Sequence, residues 1–343
     1  MSRRGNINYK YLRRRKSWFR RNLKALIAWA VLIIVVAAAV VLGLMKIFSF
    51  GLFKNNSDNV QNEPMEPATQ EKEVVWIDDK EPQSTEVVYT PPENAALPYF
   101  IRVNRAANCV TVYGIDSNGE YTIPVKAFAA SCGREGNETI TGENYVTTDK
   151  YEWRLMVDGT YGHYAFRISG GYLFHSVPYI SIDNSTLETE EYNKLGSFAS
   201  LGCVRMCVRD VKWLYDNCPS GTMVTIYDDA SNPGPLGKPE SIKIPAGSEY
   251  ASWDPTDPNP QNPWLKCKAE ITGASDITVK VGEKADIKAN VRATDTCGND
   301  ITNKIITIGR YTFDQEGEYD IKYKVTDAIG SVAEVSVKLI VTQ

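Results

Sequence analysis

The stretch Ser-Leu-Gly-Cys-Val-Arg-Met occupies residues 200–206, and a helical pattern over Val208–Asn217 follows it closely. Gly202 lets the backbone turn sharply beside Cys203 and leaves space for an incoming carbonyl group. We expect Cys203 to lie just before the helix, where the partial positive charge of the helix N-terminus favours a thiolate. Arg205 adds a fixed cation nearby. This combination is typical of a thiol nucleophile whose oxyanion is stabilised by its surroundings.

A thiol nucleophile needs a base that titrates near neutral pH, and histidine is the usual residue. The chain has only two, His163 and His175. His175 ends the apolar run 171–174 and precedes Ser176, so a strand should deliver it to a domain edge. His163 precedes a predicted strand, and we interpret it as a surface loop residue. His175 is therefore the candidate base.

His175-Ser176, an intervening segment and residues 200–206 together resemble the signature of YkuD-type L,D-transpeptidases, over about residues 97–228. The resemblance implies that Cys203 attacks the carbonyl of the diaminoacyl residue at position three of a tetrapeptide stem in peptidoglycan. The terminal D-alanine would leave, and an amine on a second stem would resolve the thioester. Water as the acceptor would make the enzyme an L,D-carboxypeptidase.

The same resemblance assigns the supporting residues. His175 would take the thiol proton, with its ring oriented by the backbone around Ser176. Backbone amides near Gly202 and Cys203 would hold the oxyanion, and Ser200 and Arg205 complete the expected supporting set.

The segment between His175 and Ser200 is longer than is common in this family. It includes residues 184–192, which contain three glutamates and favour a short acidic helix. Two interpretations stay open for this insertion. It is a solvated loop, or it is a lid that shapes access to the site or the choice of acceptor.

Other chemistries find less support in the sequence. The chain has no histidine or cysteine spacing typical of a zinc site and no glycine-rich phosphate loop, so we expect no metal and no cofactor. A sortase is disfavoured because Arg205 lies only two residues after Cys203. A wall-binding or adhesion protein with a degenerate catalytic domain is the alternative from another class. The retention of both Cys203 and His175 counts against it.

The N-terminal residues 1–54 carry twelve Lys or Arg and no acid, whereas all 42 acidic residues follow them. Ala25–Met45 is uncharged and, at 1.5 Å rise per residue, is long enough to span about 30 Å of hydrocarbon. The basic residues upstream place the N-terminus in the cytoplasm. We expect a single-pass anchor in a bacterial cell membrane with the catalytic domain outside; a cleaved signal peptide is the competing interpretation. The acidic remainder argues against nucleic-acid binding.

The predicted organisation is mainly β: a YkuD-like β-sandwich with one helix near its end, a C-terminal immunoglobulin-like β-sandwich and one N-terminal transmembrane helix. Six strands and the helix are expected in the catalytic part: Phe100–Asn104, Cys109–Tyr113, Tyr121–Phe128, Tyr164–Ile168, Tyr172–His175, Met223–Tyr227 and Val208–Asn217. The predicted segments are 1–24 (cytoplasmic), 25–48 (transmembrane), 49–96 (disordered linker), 97–229 (catalytic), 230–265 (Pro-rich connector) and 266–343 (immunoglobulin-like).

Three further expectations concern the C-terminal half. Trp253 and Trp264 suggest that parts of the connector pack onto a domain. The last domain alternates apolar and polar residues, as over 319–325, and resembles bacterial immunoglobulin-like repeats. It could contact a wall polymer or a protein, or act as a spacer. A disulfide between Cys267 and Cys297 is plausible there.

Overall fold

The computed structural model describes Ile77 and residues 89–343. The predicted membrane span 25–45 and nearly all of the predicted linker 49–96 lie outside these residues. Among the helices of the described part, none has the length and apolar character needed to cross a bilayer.

The described residues form fifteen strands, two α-helices and two 3-10 turns. The strands are β1 (Tyr99–Asn104), β2 (Cys109–Ile115), β3 (Tyr121–Ala129), β4 (Gly142–Val146), β5 (Lys150–Leu155), β6 (Tyr161–Ser169), β7 (Tyr172–Ser176), β8 (Val204–Met206), β9 (Met223–Tyr227), β10 (Glu270–Thr272), β11 (Ile277–Lys280), β12 (Arg292–Thr294), β13 (Ile306–Ile308), β14 (Gly317–Thr326) and β15 (Val332–Thr342). The helices are α1 (Thr189–Tyr192) and α2 (Val208–Asn217), and the 3-10 turns are Pro263–Lys266 and Thr302–Lys304.

Two sheets build the first domain. One has the strand order β3-β2-β1-β9-β4 and the other the order β5-β6-β7-β8. Their buried side chains belong to one hydrophobic core, to which α2 also contributes through Val211 and Leu214. The burial of this apolar surface is the main stabilising term for the domain. The core includes Ile101, Val103, Val110, Phe166, Phe174, Val204 and Ile226.

The short strand β8 is held on both of its edges. It pairs in parallel with β7, with Phe174 opposite Val204 and His175 opposite Arg205. On its other edge, Arg205 exchanges two main-chain hydrogen bonds with Ser131, at 2.8 and 2.9 Å. Strand β8 therefore has hydrogen-bonded neighbours on both edges, as a central strand of a sheet does.

The C-terminal domain contains a two-stranded sheet, β10-β12, and a four-stranded sheet of order β11-β15-β14-β13. The alternation expected over 319–325 is present in β14, where Ile321, Tyr323 and Val325 are buried and the residues between them are partly or fully exposed. These side chains form a second hydrophobic core with β15. The β-sandwich expected for this region is thereby confirmed.

The Pro-rich connector packs onto the first domain. Ile242, Ile244 and Trp264 are buried in a third hydrophobic cluster together with residues of the first domain such as Val177 and Val208. The indole of Trp264 donates a hydrogen bond to the carbonyl of Tyr250, at 3.0 Å. The connector therefore packs against the first domain, as Trp253 and Trp264 suggested.

The connector also caps α2. The carboxylate of Asp254 is fully buried and accepts a hydrogen bond from the Val208 amide, at 2.8 Å, while the Thr256 hydroxyl accepts one from the Arg209 amide, at 3.2 Å. Cys207, which immediately precedes α2, offers no side-chain cap. The first amides of α2 therefore take their partners from residues almost fifty positions further along the chain.

The C-terminal domain is fastened to the same assembly. Arg209 of α2 donates to the carbonyl of Ile329, at 3.1 Å, and Asn299 donates to the carbonyl of Lys243 in the connector, at 2.7 Å. Residues 89–343 belong to one compact unit. All seven cysteines are free, so the plausible Cys267–Cys297 disulfide is not formed.

Replacing Asp254 with alanine should destabilise the protein, because the buried Val208 amide would lose its acceptor. We expect the free energy of unfolding at pH 7.5 to fall by about 1–3 kcal/mol. Urea denaturation followed by circular dichroism measures this quantity.

The control is Glu249→Ala in the same connector, since Glu249 is exposed and its removal should change the free energy of unfolding by less than about 0.5 kcal/mol. Equal effects of the two substitutions would contradict the capping role of Asp254.

Candidate functional site

One cavity of about 180 Å³ contains both residues expected to carry the chemistry, Cys203 and His175. Strand β7 supplies His175, and the loop that enters β8 supplies Cys203. The hairpin between β5 and β6 covers another side of the cavity. Much of the remaining wall is apolar and consists of Leu155, Met156, Val157, Leu173, Pro178 and Leu201.

His175 is almost completely buried, with 2% of its surface exposed. A Cβ atom at Gly162 would lie 2.8 Å from the imidazole Nδ1, so a glycine is required there for the ring to fit. Burial, with a smaller contribution from the charge of Arg205, lowers the pKa of His175 to about 4. The main chain of Ser176 opposes this shift, although Nδ1 itself has no hydrogen-bond partner. The imidazole is neutral at pH 7.

Cys203 is half-buried, and its thiol donates to the carbonyl of Gly171 with a Sγ–O distance of 3.6 Å. Burial raises the pKa of this thiol above its usual value of 9.0, while the main chain of Leu173 and the charges of Arg205 and Arg167 oppose the rise. At neutral pH the cavity is therefore lined by a neutral thiol and a neutral imidazole.

The expected thiolate at a helix N-terminus is wrong. Strand β8 and Cys207 separate Cys203 from α2, which begins at Val208. The partial charge of a helix acts within its first turn, and Asp254 already occupies this end of α2. Cys203 therefore gains no stabilisation of its anion from the helix.

The loop before the nucleophile is braced by Ser200. The Ser200 hydroxyl donates to the carbonyl of Cys203, at 2.5 Å, and accepts from the amide of Gly202, at 3.1 Å. Gly202 has φ +117°, and a Cβ atom on it would lie 3.0 Å from the ring of Tyr172, so only glycine fits. The Gly202 amide is already engaged and cannot serve as an oxyanion donor in this conformation.

Ser176 has a structural role. Its hydroxyl accepts a hydrogen bond from the His163 amide, at 2.9 Å, and donates to the carbonyl of Val177, at 2.7 Å. These contacts tie the end of β7 to β6 and so hold the strand that carries His175.

His163 is not a surface loop residue, and that interpretation is wrong. It lies within β6, is 3% exposed, and stacks between Trp153 and Tyr164 with ring-centroid distances of 4.0 and 3.8 Å. Burial and the charge of Lys212 lower its pKa to about 4. His163 does not line the cavity and is a core residue.

Arg205 is buried and paired. Its Nη1 lies 2.6 Å from an oxygen of Glu191, and its Nη2 lies 4.0 Å from an oxygen of Asp158. Arg205 is thus the fixed cation expected near the thiol, and its two carboxylate partners neutralise much of its charge. Its charge still favours the neutral form of His175 and the anionic form of Cys203.

Glu191 belongs to α1, the short acidic helix expected in the insertion, and this helix is confirmed over Thr189–Tyr192. The insertion is packed against the connector: the Leu187 amide donates to Ser252, at 2.9 Å, and the Thr189 hydroxyl donates to Ala251, at 2.6 Å. Tyr192 is 1% exposed. These contacts replace the solvated-loop interpretation, and they favour a fixed wall over a movable lid.

Several residues of the site were not identified from the sequence. Arg154, Asp158 and Arg167 line the cavity, whereas Gly162 and Glu191 contact the lining residues His175 and Arg205. The acidic run in the insertion was the available signal for a partner of Arg205. The others lie in β5, in β6 or in the turn between them, and β5 itself was not predicted. Their positions depend on sheet pairing, such as Arg154 opposite Gly162.

Comparison with known proteins identifies two regions. Residues 98–226 match the family model of the YkuD L,D-transpeptidase catalytic domain, and residues 269–341 match that of the bacterial surface protein Ig-like domain. The Bacillus subtilis (strain 168) protein YciB, a proposed L,D-transpeptidase, is 37% identical over 91 residues, which are 26% of this chain and 46% of that protein. The chain thus spans less than half the length of this curated relative.

Solved structures are similar over about two fifths of the chain. A Clostridium acetobutylicum fused Zn-dependent amidase/peptidase/peptidoglycan-binding domain-containing protein is 26% identical, with a TM-score of 0.29, covering 40% of this chain and 55% of that one. An L,D-transpeptidase from Mycobacterium smegmatis is 17% identical, with a TM-score of 0.31, covering 38% and 58%.

Replacing Glu191 with alanine should destabilise the protein, because it leaves the Arg205 guanidinium buried with only the distant Asp158 as counter-charge. Glu191 is partly exposed, which reduces the loss relative to a fully buried pair, so we expect about 1–3 kcal/mol in the free energy of unfolding. Urea denaturation measures the difference.

The matched control is Glu190→Ala, which removes an exposed neighbour in the same helix. Its stability should equal that of the unaltered protein, and a loss as large as that of Glu191→Ala would show that the ion pair is not the cause.

Proposed function

We propose that the first domain is a peptidoglycan L,D-transpeptidase in which Cys203 is the nucleophile and His175 the general base. One observation carries the proposal. Two residues 28 positions apart in the sequence line a single cavity, inside the region that matches the catalytic-domain family.

In the acylation step, the sulfur of Cys203 attacks the carbonyl carbon of the third residue of a tetrapeptide stem. His175 takes the thiol proton as the C–S bond forms, because the resting pair is neutral and no thiolate is stored. The protonated imidazole then gives this proton to the departing nitrogen. D-alanine leaves as an amine, and the stem stays on Cys203 as a thioester.

In the second step, an amine of another stem attacks the thioester carbonyl. His175 accepts a proton from that amine and returns one to the departing sulfur, so the free thiol is restored and a new amide joins the two stems. Leu155, Val157 and Pro178 give this part of the cavity an apolar lining.

The oxyanion of both steps needs a donor within hydrogen-bond reach. The Gly202 amide is engaged with Ser200, whereas the Cys203 amide donates no hydrogen bond to any residue that the structure describes. We assign the oxyanion to the Cys203 amide, with Ser200 holding the loop in place. Arg205 acts as a positioning residue through its electrostatic effect on both catalytic groups.

The location follows from the sequence. Ala25–Met45 is uncharged and flanked on its N-terminal side by basic residues, so we propose a single-pass anchor in the bacterial cell membrane with a cytoplasmic N-terminus. The catalytic domain then lies outside, where peptidoglycan is found. The Pro-containing segment 49–96 supplies the reach from the membrane to the wall.

The immunoglobulin-like domain is proposed to contact a wall polymer or a wall protein. Its hydrogen bonds to α2 and the connector, through Ile329 and Asn299, give it a fixed orientation relative to the cavity. A partner bound there would therefore present the catalytic cavity to the wall at a constant angle.

The test is incubation of the purified extracytoplasmic part, residues 89–343, with tetrapeptide muropeptides, followed by mass spectrometry. We expect dimers that have lost one D-alanine. Cys203→Ala and His175→Gln should each lower the rate by at least about 100-fold, since each removes a group that takes part in proton or acyl transfer.

His163→Phe is the matched control, because phenylalanine preserves the stack on Trp153 and His163 does not touch the cavity. It should keep the rate within about twofold. Monomers trimmed by one D-alanine would instead identify a carboxypeptidase. Full activity of Cys203→Ala would contradict the assignment of the nucleophile.

A further inference from the structure

Three arginines line the cavity, and only one of them is neutralised there in full. Arg205 has two carboxylate neighbours, Glu191 and Asp158. Arg154 and Arg167 also face the cavity, from β5 and β6. Arg154 and Arg167 therefore place two positive charges on this part of the cavity wall, where Asp149 pairs with Arg167.

Arg167 is fixed close to the nucleophile. Its Nε is 2.9 Å from an oxygen of Asp149, its Nη2 donates to the hydroxyl of Tyr151, at 2.9 Å, and its Nη1 donates to the carbonyl of Gly170. The next carbonyl, that of Gly171, accepts the hydrogen bond of the Cys203 thiol. The guanidinium of Arg167 therefore contacts the carbonyl of Gly170, and the carbonyl of the next residue, Gly171, contacts the sulfur of Cys203.

Arg154 is held near Arg167 without an anion of its own. Its Cζ lies 4.8 Å from the centroid of the Tyr151 ring, and that of Arg167 lies 5.7 Å from the same centroid. Arg154 is exposed, and its side chain makes no hydrogen bond or ion pair with the residues that the structure describes. The guanidinium groups of Arg154 and Arg167 therefore both lie near the ring of Tyr151. The carboxylate of Asp149 pairs with Arg167.

We propose that Arg154 and Arg167 form a subsite that binds a carboxylate of the donor stem. The inference rests on the proposed function and names the part of the substrate that the cavity recognises. A planar guanidinium matches a carboxylate with two parallel hydrogen bonds. Tyr151 holds both cations in place, so little side-chain freedom is lost when the anion binds.

Two carboxylates of the donor have the required chemistry. One is the C-terminal carboxylate of the fourth residue, which lies one residue, about 3.8 Å in Cα spacing, beyond the scissile bond. The other is the side-chain carboxylate of a diamino diacid at position three. Amidation of each carboxylate in turn distinguishes the two sources.

The experiment measures binding, by isothermal titration calorimetry, of three tetrapeptide stems to the Cys203→Ala protein: the free acid, the C-terminal amide and the side-chain amide. The second variant adds Arg154→Gln, which alters an exposed side chain and should fold normally. The matched control adds Arg102→Gln, since Arg102 lies 4.7 Å over Tyr227 in the same stacked geometry but is not part of the cavity wall.

We expect Arg154→Gln to weaken binding of the free-acid stem by about tenfold or more, as for loss of a hydrogen bond to a charged group. Amidation of the recognised carboxylate should weaken binding similarly, and Arg154→Gln should then have no additional effect. Arg102→Gln should leave all three affinities within about twofold.

The subsite would be overturned if Arg154→Gln weakened the binding of all three stems equally, or if no stem bound. An affinity unchanged by Arg154→Gln would also overturn it, even if the unaltered enzyme cross-links stems. Arginine-dependent binding without turnover by the unaltered enzyme would leave the subsite standing and refute the transpeptidase function.

Discussion

The parallel pairing of β7 with β8 is the constraint on which the site depends. The register that places His175 opposite Arg205 brings the last residues of β7 beside the loop that carries Cys203. Because β8 is only three residues long, its position relies on Ser131 along its other edge. The Ser176 and Ser200 hydroxyls then fix the end of β7 and the nucleophile loop. The catalytic pair is thus a product of sheet register and two buried hydroxyl groups.

Burial sets the charge state of the pair. It lowers the pKa of His175 to about 4 and raises that of Cys203 above its usual value, so desolvation favours the neutral form of both groups. A base with a low pKa stays unprotonated under acidic conditions. The disadvantage is a less nucleophilic sulfur, since proton removal must accompany attack. Arg205 favours the thiolate but also the neutral imidazole, and its two carboxylate partners limit both effects.

The sequence predicted those elements whose pattern is local. Helix α2 and strand β9 have the expected bounds, because Val211 and Leu214 repeat at helical spacing and β9 is short and β-branched. Strand β5 was missed because none of its side chains is buried, and β8 because three residues show no periodicity. The position of His163 was wrong because the strand was expected to begin at Tyr164, whereas β6 begins at Tyr161 and so includes His163. Gly162 within this strand makes room for His175. Cys203 and His175 were singled out from their residue types and motif, and the structure places both in one cavity. Their charge state depends on desolvation and on residues distant in sequence, such as Glu191, which pairs with Arg205.

We expect Cys203 to rest as a neutral thiol whose proton is removed only during attack. The pH dependence of its alkylation by iodoacetamide, mapped to the Cys203 peptide by mass spectrometry, tests this most directly. We predict a rate that is low from pH 5 to pH 8 and rises through an apparent pKa above the ordinary thiol value of 9.0. A high rate that is constant across that range, and that is lost in His175→Gln, would reveal a stored thiolate–imidazolium pair and contradict the account.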